Sequence, residues 1–336
     1  MLQLSIVIVN YRSANYIIDC LSSAFKFASA QQYEWIIVDN HSQDHSRQLI
    51  TAQFPMVHWI DMGYNAGFAR ANNQGIRQAK TSMVLLLNPD TLIIDDAIEN
   101  CMLRMQQNQE CIAAAVQLLN PDGSPQITGN FFMKGGLNHL LPLPYLGAFL
   151  RKIAFAANVK KTNVQRAGIA EKADWINGAF LMVKQTAIDK AGLLDEDFFL
   201  YAEEIEWCSR LGKYGILMVF GDLFTTHLQG ESINSATNSA DKGYFNLYDK
   251  KGLQLMVSNH VRIRKQFGVG WFLVHLLVFT FEIPLFFVCS FFHHLLRLKN
   301  PLSQWQLIKQ YTKNVFILWQ LSPVIVANTP HFYKMF

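Results

Sequence analysis

Charge is what this 336-residue sequence has little of: Asp, Glu, Lys and Arg make up 16% of it, against 51% hydrophobic residues. That balance excludes long disordered tracts, which need high charge and few apolar groups. It leaves material for one large α/β domain plus a substantial appendage. Cysteine is sparse and unpatterned, since Cys20, Cys101, Cys111, Cys208 and Cys289 form neither a C-x-x-C pair nor a closely spaced framework. A reduced, cytosolic setting is therefore expected. The N-terminus, MLQLSIVIVNY, has no basic stretch ahead of a long apolar run, so no export signal is expected.

The net charge of +4 is unevenly placed. Residues 1–251 hold 21 basic and 24 acidic side chains, whereas 252–336 hold eight basic and one acidic. The basic tail also carries the most apolar run, which points to anionic lipid at a membrane surface rather than to nucleic acid. Trp271–Leu296 would extend about 39 Å as a helix, against a hydrocarbon core of about 30 Å. Glu282, Pro284, His275, His293 and His294 argue against a simple span. Arg262, Arg264, Lys265, Arg297 and Lys299, with Trp271, Trp305 and Trp319, suit interfacial anchors. Helices lying in or dipping into the cytoplasmic leaflet are expected, with a soluble homodimer or core surface and a true span as the competing readings.

Short apolar runs alternate with helical spacing along the first half. Leu4–Val9, Trp35–Val38, Val57–Ile60, Met83–Leu87 and Ile112–Gln117 read as strands, and 15–28, 69–79 and 95–107 as helices. This is the pattern of an open, mostly parallel sheet with helices on both faces, whose ligands gather beyond the carboxyl ends of the strands. From about 121 to 172, prolines and glycines predict covering loops. Trp175–Val183 is expected as one strand, Gln185–Ala191 and Glu203–Tyr214 as helices, Ile216–Phe220 as a strand. Helices are then predicted over 252–266, 271–296 and 301–325.

Several polar groups punctuate this pattern. Asp39 closes a strand, where a carboxylate can accept from a base or ribose, although an Asx turn would use it equally well. Gly63–Gly75 combines glycines and amides with Arg70 at a helix start, and could hold a phosphate or form a packed turn. It is no Walker loop and has no G-x-G-x-x-G fingerprint. Asp90 follows Asn88-Pro89 after a buried strand, where a carboxylate can hold Mg2+ or Mn2+ against a diphosphate or simply cap a helix. The acids and aromatics of Asp195–Trp207 suit proton abstraction from an alcohol better than a helix dipole alone. His227 could be a ligand or a satisfied lone imidazole.

Together, SIVIVNY (Ser5–Tyr11), VDNHSQD (Val38–Asp44), GYNAGFARANNQGI (Gly63–Ile76), LLLNPDT (Leu85–Thr91), WINGAFLMV (Trp175–Val183), LDEDFFLYAEEIEWCSRL (Leu194–Leu211) and HLQGES (His227–Ser232) resemble the inverting family 2 glycosyltransferases of the GT-A fold, rhamnosyltransferase-like branch. The resemblance implies a Rossmann-like GT-A domain over 1–250, with 251–336 as the helical membrane-associated appendage. It implies that Asp39, with Asn10, Tyr11 and Asn40, holds the nucleotide. Asn65, Gly67, Arg70 and Asn72 then shape the donor pocket, and Gly178 and Ala179 let the backbone approach the sugar. Asp90 matches the last acid of the family's D-x-D-type signature, with Asn88 replacing the first, so Mg2+ or Mn2+ would rest on Asp90 and His227. The catalytic base falls in the pair Glu203-Glu204, with Glu204 preferred. The implied partners are a nucleotide sugar, dTDP-rhamnose favoured, and a lipid-linked glycan acceptor at the inner face of the membrane. A catalytically silent nucleotide-binding scaffold and a sugar-nucleotide nucleotidyltransferase are the alternatives. The latter wants an N-terminal Gly-rich loop that is absent after Val9.

Overall fold

The computed structural model describes residues 2–228 and 246–336, in two compact units. The first contains 2–132, 162–199 and 203–228, and the second 133–161, 200–202 and 246–336. The helical unit thus includes a piece of chain drawn from the middle of the sequence.

The first unit is built on a nine-stranded sheet. Strands β1 (Leu4–Asn10), β2 (Tyr33–Asp39), β3 (His58–Asp61) and β4 (Met83–Leu87) run parallel in the order β3-β2-β1-β4. β1 and β4 are buried along almost their whole length, which requires cover on both faces of the sheet. Helices α1 (Ala14–Ala24), α2 (Ser46–Gln53), α3 (Gly67–Gln78) and α4 (Ala97–Gln107) alternate with the strands. Beyond β4 the sheet becomes mixed. Strands β5 (Thr91–Ile93), β6 (Cys111–Leu119), β11 (Phe180–Lys184) and β12 (Ile216–His227) continue it as β4-β11-β6-β12-β5. β11 is antiparallel to β4 and β6, and β12 is parallel to β6. Parallel first and mixed afterwards, this is an α/β architecture, as the alternation of strands and helices in the sequence predicts.

Two segments differ from their sequence expectation. WINGAFLMV is not one strand, because Asn177, Gly178 and Ala179 form a turn. Strand β10 (Trp175–Ile176) joins β7 (Gly129–Asn130) and β8 (Asn163–Val164) in a small second sheet, while β11 enters the main one. The 121–172 stretch is also more than covering loops. It supplies β7, β8, β9 (Glu171–Ala173), a 3-10 turn over Lys134–Leu140 and helix α5 (Leu146–Ala156). Helices α6 (Gln185–Ala191) and α7 (Glu203–Leu211) complete the first unit. Residues 229–232 of HLQGES lie outside the described residues.

The second unit packs α8 (Lys250–Phe267), α9 (Val269–Leu296) and α10 (Trp305–Ala327) with α5 and the 3-10 turn. His275 and Glu282 of α9 face inward. His275 Nε2 lies 2.9 Å from the Gly135 carbonyl, and Glu282, 0% exposed, accepts from the backbone of Tyr145 and Leu146. Its outward face carries Leu273, Leu277, Phe281, Phe287 and Phe292. This is the reverse of an amphipathic helix in water, whose polar face looks outward.

Candidate active site

The carboxyl ends of β1 and β2 meet through one buried amide. Asn10 and Asp39 are register partners, and Asn10 Nδ2 donates to Asp39 Oδ1 at 2.7 Å and to Ser42 Oγ at 2.9 Å. Asp39 Oδ2 accepts from Ser42 N, so the carboxylate is aimed by neighbours on both strands while remaining part-exposed. Asn40 carries the arrangement onward: its Oδ1 accepts from Ala66 N at 2.7 Å and its Nδ2 donates to Asn65 Oδ1 at 3.0 Å. Asn65 in turn accepts from Gly67 N. Tyr11 lies beside this edge with the Arg12 guanidinium 5.5 Å from its ring centre. Arg12, His41 and Gln43 all have positive φ, backbone strain that functional loops commonly store. Gly67 has φ +75°, and a Cβ there would stand 2.3 Å from the Phe199 carbonyl oxygen. Only glycine fits.

Beyond β4, Asn88, Asp90 and His227 come together. Asp90 Oδ1 is 3.4 Å and Asn88 Nδ2 3.3 Å from His227 Nε2. Both Asp90 and His227 are buried. β12 runs seven residues past its expected end, and the pairing of His227 with Thr91 puts the imidazole against β5. Among the described residues no cage of three or more His, Cys, Asp or Glu side chains forms. A divalent cation here would have two protein donors and would draw its remaining ligands from a diphosphate and water. That suits Mg2+, which usually keeps several waters and binds through one or two carboxylates and phosphates.

The turn at 177–179 links this end to the acidic helix. Ala179 O accepts from Asn88 N at 3.0 Å, and Asn177 Oδ1 accepts from Ala179 N at 2.9 Å. Next to it, Gly178 faces Glu204, whose Cβ and Cγ would lie 3.6 and 3.7 Å from a Cβ at that glycine. Glu204 is part-exposed, but Glu203 is enclosed. Burial first, and the Glu204 charge second, push the Glu203 carboxyl well above its ordinary value. Its Oε2 has no hydrogen-bond partner among the described residues. Burial thus disfavours a charge on Glu203, and of the pair Glu204 is the part-exposed one. Glu206 is committed elsewhere: Arg210 Nε and Nη2 bind its carboxylate at 2.8 to 3.0 Å. The same guanidinium donates to the carbonyls of Ala191 and Leu193.

Two other expected residues make hydrogen bonds within the first unit. Asn72 is 1% exposed and donates back to the Phe68 carbonyl within α3, so it does not line a pocket. Arg70 Nε donates to the Glu196 carbonyl at 3.0 Å, tying α3 to the segment before α7. One residue went unnoticed in the sequence. Gln126 contacts both the imidazole and the carbonyl of His227. A lone glutamine after Pro125, in a stretch read as loops, carries no sequence signal.

Residues 5–153 match the family described as Glycosyl transferase family 2. The low-salt glycan biosynthesis hexosyltransferase Agl10 of Haloferax volcanii is 30% identical over 222 residues, covering 63% of this chain and 62% of that protein. The N-acetylglucosaminyl-diphospho-decaprenol L-rhamnosyltransferase of Mycobacterium tuberculosis is 23% identical over 231 residues, 65% of this chain and 73% of its own. The dTDP-rhamnosyl transferase RfbF of Shigella flexneri is 23% identical over 242 residues, 67% and 71% of the two chains. This chain thus spans less than two thirds of the length of Agl10. The matched segment contains β1 to β4 with Asp39 and Asp90, so this part of the chain is similar to glycosyl transferase family 2.

Proposed function

We propose that this protein transfers a sugar from a nucleoside-diphosphate donor to a hydroxyl of a lipid-linked or polysaccharide acceptor, with inversion at the anomeric carbon. The supporting observation is the continuous path from Asp90 and His227 through Asn88 and Ala179 to Gly178 and Glu204. Displacement at an anomeric carbon needs charge neutralisation at the leaving diphosphate and a base on the opposite side of the sugar. Asp90 and His227 would hold a divalent cation, which when bound offsets diphosphate charge. Glu204 takes the acceptor proton, Asp39 accepts from the nucleoside, and the 177–179 turn lets backbone approach the sugar between them.

Rhamnose is the favoured sugar and a lipid-linked glycan the favoured acceptor, on the names of the Mycobacterium and Shigella relatives. The outward apolar face of α9 supports work at the cytoplasmic surface of a membrane. Among the described residues, α9 alone is long and apolar enough to cross one by length and composition. Its inward His275 and Glu282 bond to backbone of its own unit, which favours a helix lying in the leaflet. A silent nucleotide-binding scaffold would not need Glu204 part-exposed against Gly178. Purified protein is tested by thermal shift against a panel of nucleotide sugars, then by sugar transfer to extracted membrane lipid. A rise in Tm with dTDP-rhamnose and label in the lipid fraction are expected. Binding without transfer or donor hydrolysis would favour the scaffold, and no binding to any nucleotide sugar would overturn the proposal.

A further inference from the structure

We infer that Gln126 is a positioning residue that fixes the tautomer of His227, so that Nε2 presents a lone pair beside Asp90; this rests on the reading of those two residues as cation ligands. Gln126 and His227 are both buried and meet at two points. Gln126 Nε2 lies 2.6 Å from the His227 carbonyl, and Gln126 Oε1 lies 3.0 Å from His227 Nδ1. The orientation of the amide is fixed by chemistry. A carbonyl oxygen can only accept, so the atom facing it must be the amide nitrogen. The same nitrogen also faces the Leu119 carbonyl at 3.3 Å, so flipping the amide would set its oxygen against two carbonyls.

The other end of the amide is therefore oxygen, an acceptor, and His227 Nδ1 must carry the proton that it receives. In the neutral ring the lone pair then belongs to Nε2. That atom faces Asn88 Nδ2, a donor, at 3.3 Å and Asp90 Oδ1 at 3.4 Å. A lone pair and a carboxylate oxygen at that separation repel, and a shared cation removes the repulsion. Metal-binding histidines are characteristically oriented by an acceptor on the far ring nitrogen. Gln126 is itself held firmly, because its backbone N–H donates to the Leu118 carbonyl and its own carbonyl accepts from Gln117 Nε2, each at 2.8 Å.

The test uses the full chain labelled with 15N-histidine and free of metal, with His227 signals identified by their loss in His227→Ala. Nitrogen shifts of the Nδ1–H tautomer are expected in the wild type, and the Nε2–H form would overturn the inference even if neither Gln126 variant folds. Gln126→Met and Gln126→Leu, checked for native Tm, should give a mixed tautomer. They should also bind Mn2+ in the presence of dTDP about 10- to 100-fold more weakly by electron paramagnetic resonance titration. Asp90→Asn separates the two readings. If it leaves Mn2+ affinity unchanged, the cation assignment fails; if it weakens affinity while both Gln126 variants match wild type, the role of Gln126 fails.

Discussion

Glu282 Oε1 accepts a hydrogen bond from Tyr145 N at 2.7 Å, and Oε2 accepts from Leu146 N at 3.1 Å. The only acid of residues 252–336 thus lies inside the helical unit, capping the first turn of α5. Two of the four orphan N–H groups at that helix start are satisfied by it. In the sequence Glu282 counted against a membrane helix. In the fold it removes negative charge from the outer face of α9 and leaves that face apolar.

Association with anionic bilayers is the predicted consequence. Leu277 and Phe281 are 58% and 61% exposed on the outer face of α9, and burying such side chains is worth about 1.5–3 kcal/mol each. Purified full-length protein should float with phosphatidylglycerol vesicles, and Leu277→Asp with Phe281→Asp should reduce the bound fraction at least about tenfold. Equal flotation of the double variant would remove this face from the contact.

Glu204 and Glu206 lie two residues apart on α7 and should respond oppositely. Glu204→Gln should cut turnover about 10²- to 10⁴-fold, the usual worth of a general base, with nucleotide affinity nearly intact. Glu206→Gln removes the charge that Arg210 binds, so it should lower stability by about 2–4 kcal/mol while its folded fraction keeps turning over. Wild-type turnover in Glu204→Gln would refute the choice of base. Complete loss in a folded Glu206→Gln would transfer the role to Glu206.

At the other end of the site, Asp39 has one oxygen held by Asn10 and the other by Ser42 N. Those bonds orient the carboxylate without enclosing it. Asp39→Ala should weaken dTDP binding in calorimetry about 10- to 100-fold, the worth of hydrogen bonds to a charged group. Unchanged affinity would show that the carboxylate serves only the turn.

Legibility followed the physical origin of each element. Met83–Leu87 was readable to the residue because a strand buried on both faces must be continuously apolar. The positions of Asp39 and Asp90 at strand ends were readable because strand ends announce themselves locally, whereas Glu204 was singled out from its acidic neighbours only by the resemblance. The 133–161 piece was not. Its 3-10 turn contains Gly135 at φ +63°, with Trp271 packed where a side chain would be, and α5 borrows its cap from Glu282. Both are set by residues more than 130 positions away. Gln126 was invisible for the same reason, since its partner is 101 residues distant.

The helical unit should also be acid-sensitive. His139 and His260 are buried with ring centres 5.2 Å apart, and His275 stacks on His139 at 5.7 Å. Burial is the main cause that holds both of the first two below the ordinary imidazole value, reinforced by neighbouring imidazoles and the Arg262 charge; His260 falls to about 3. In the unfolded chain these rings protonate near pH 6.5, so between about pH 6.5 and 3 the unfolded state binds more protons. Their contribution is complete above pH 6.5 and is lost as pH falls, at no more than about 1.4 kcal/mol per pH unit for each ring. Thermal melts of full-length protein from pH 7 to 4 should show Tm falling with pH, and His260→Phe should flatten the slope. Among the described residues His260 Nδ1 bonds only the Met256 carbonyl one turn back, and its ring already packs edge-on to Phe279, so phenylalanine suits the site. An unchanged slope in that variant would mean that His260 does not stay neutral in the folded chain.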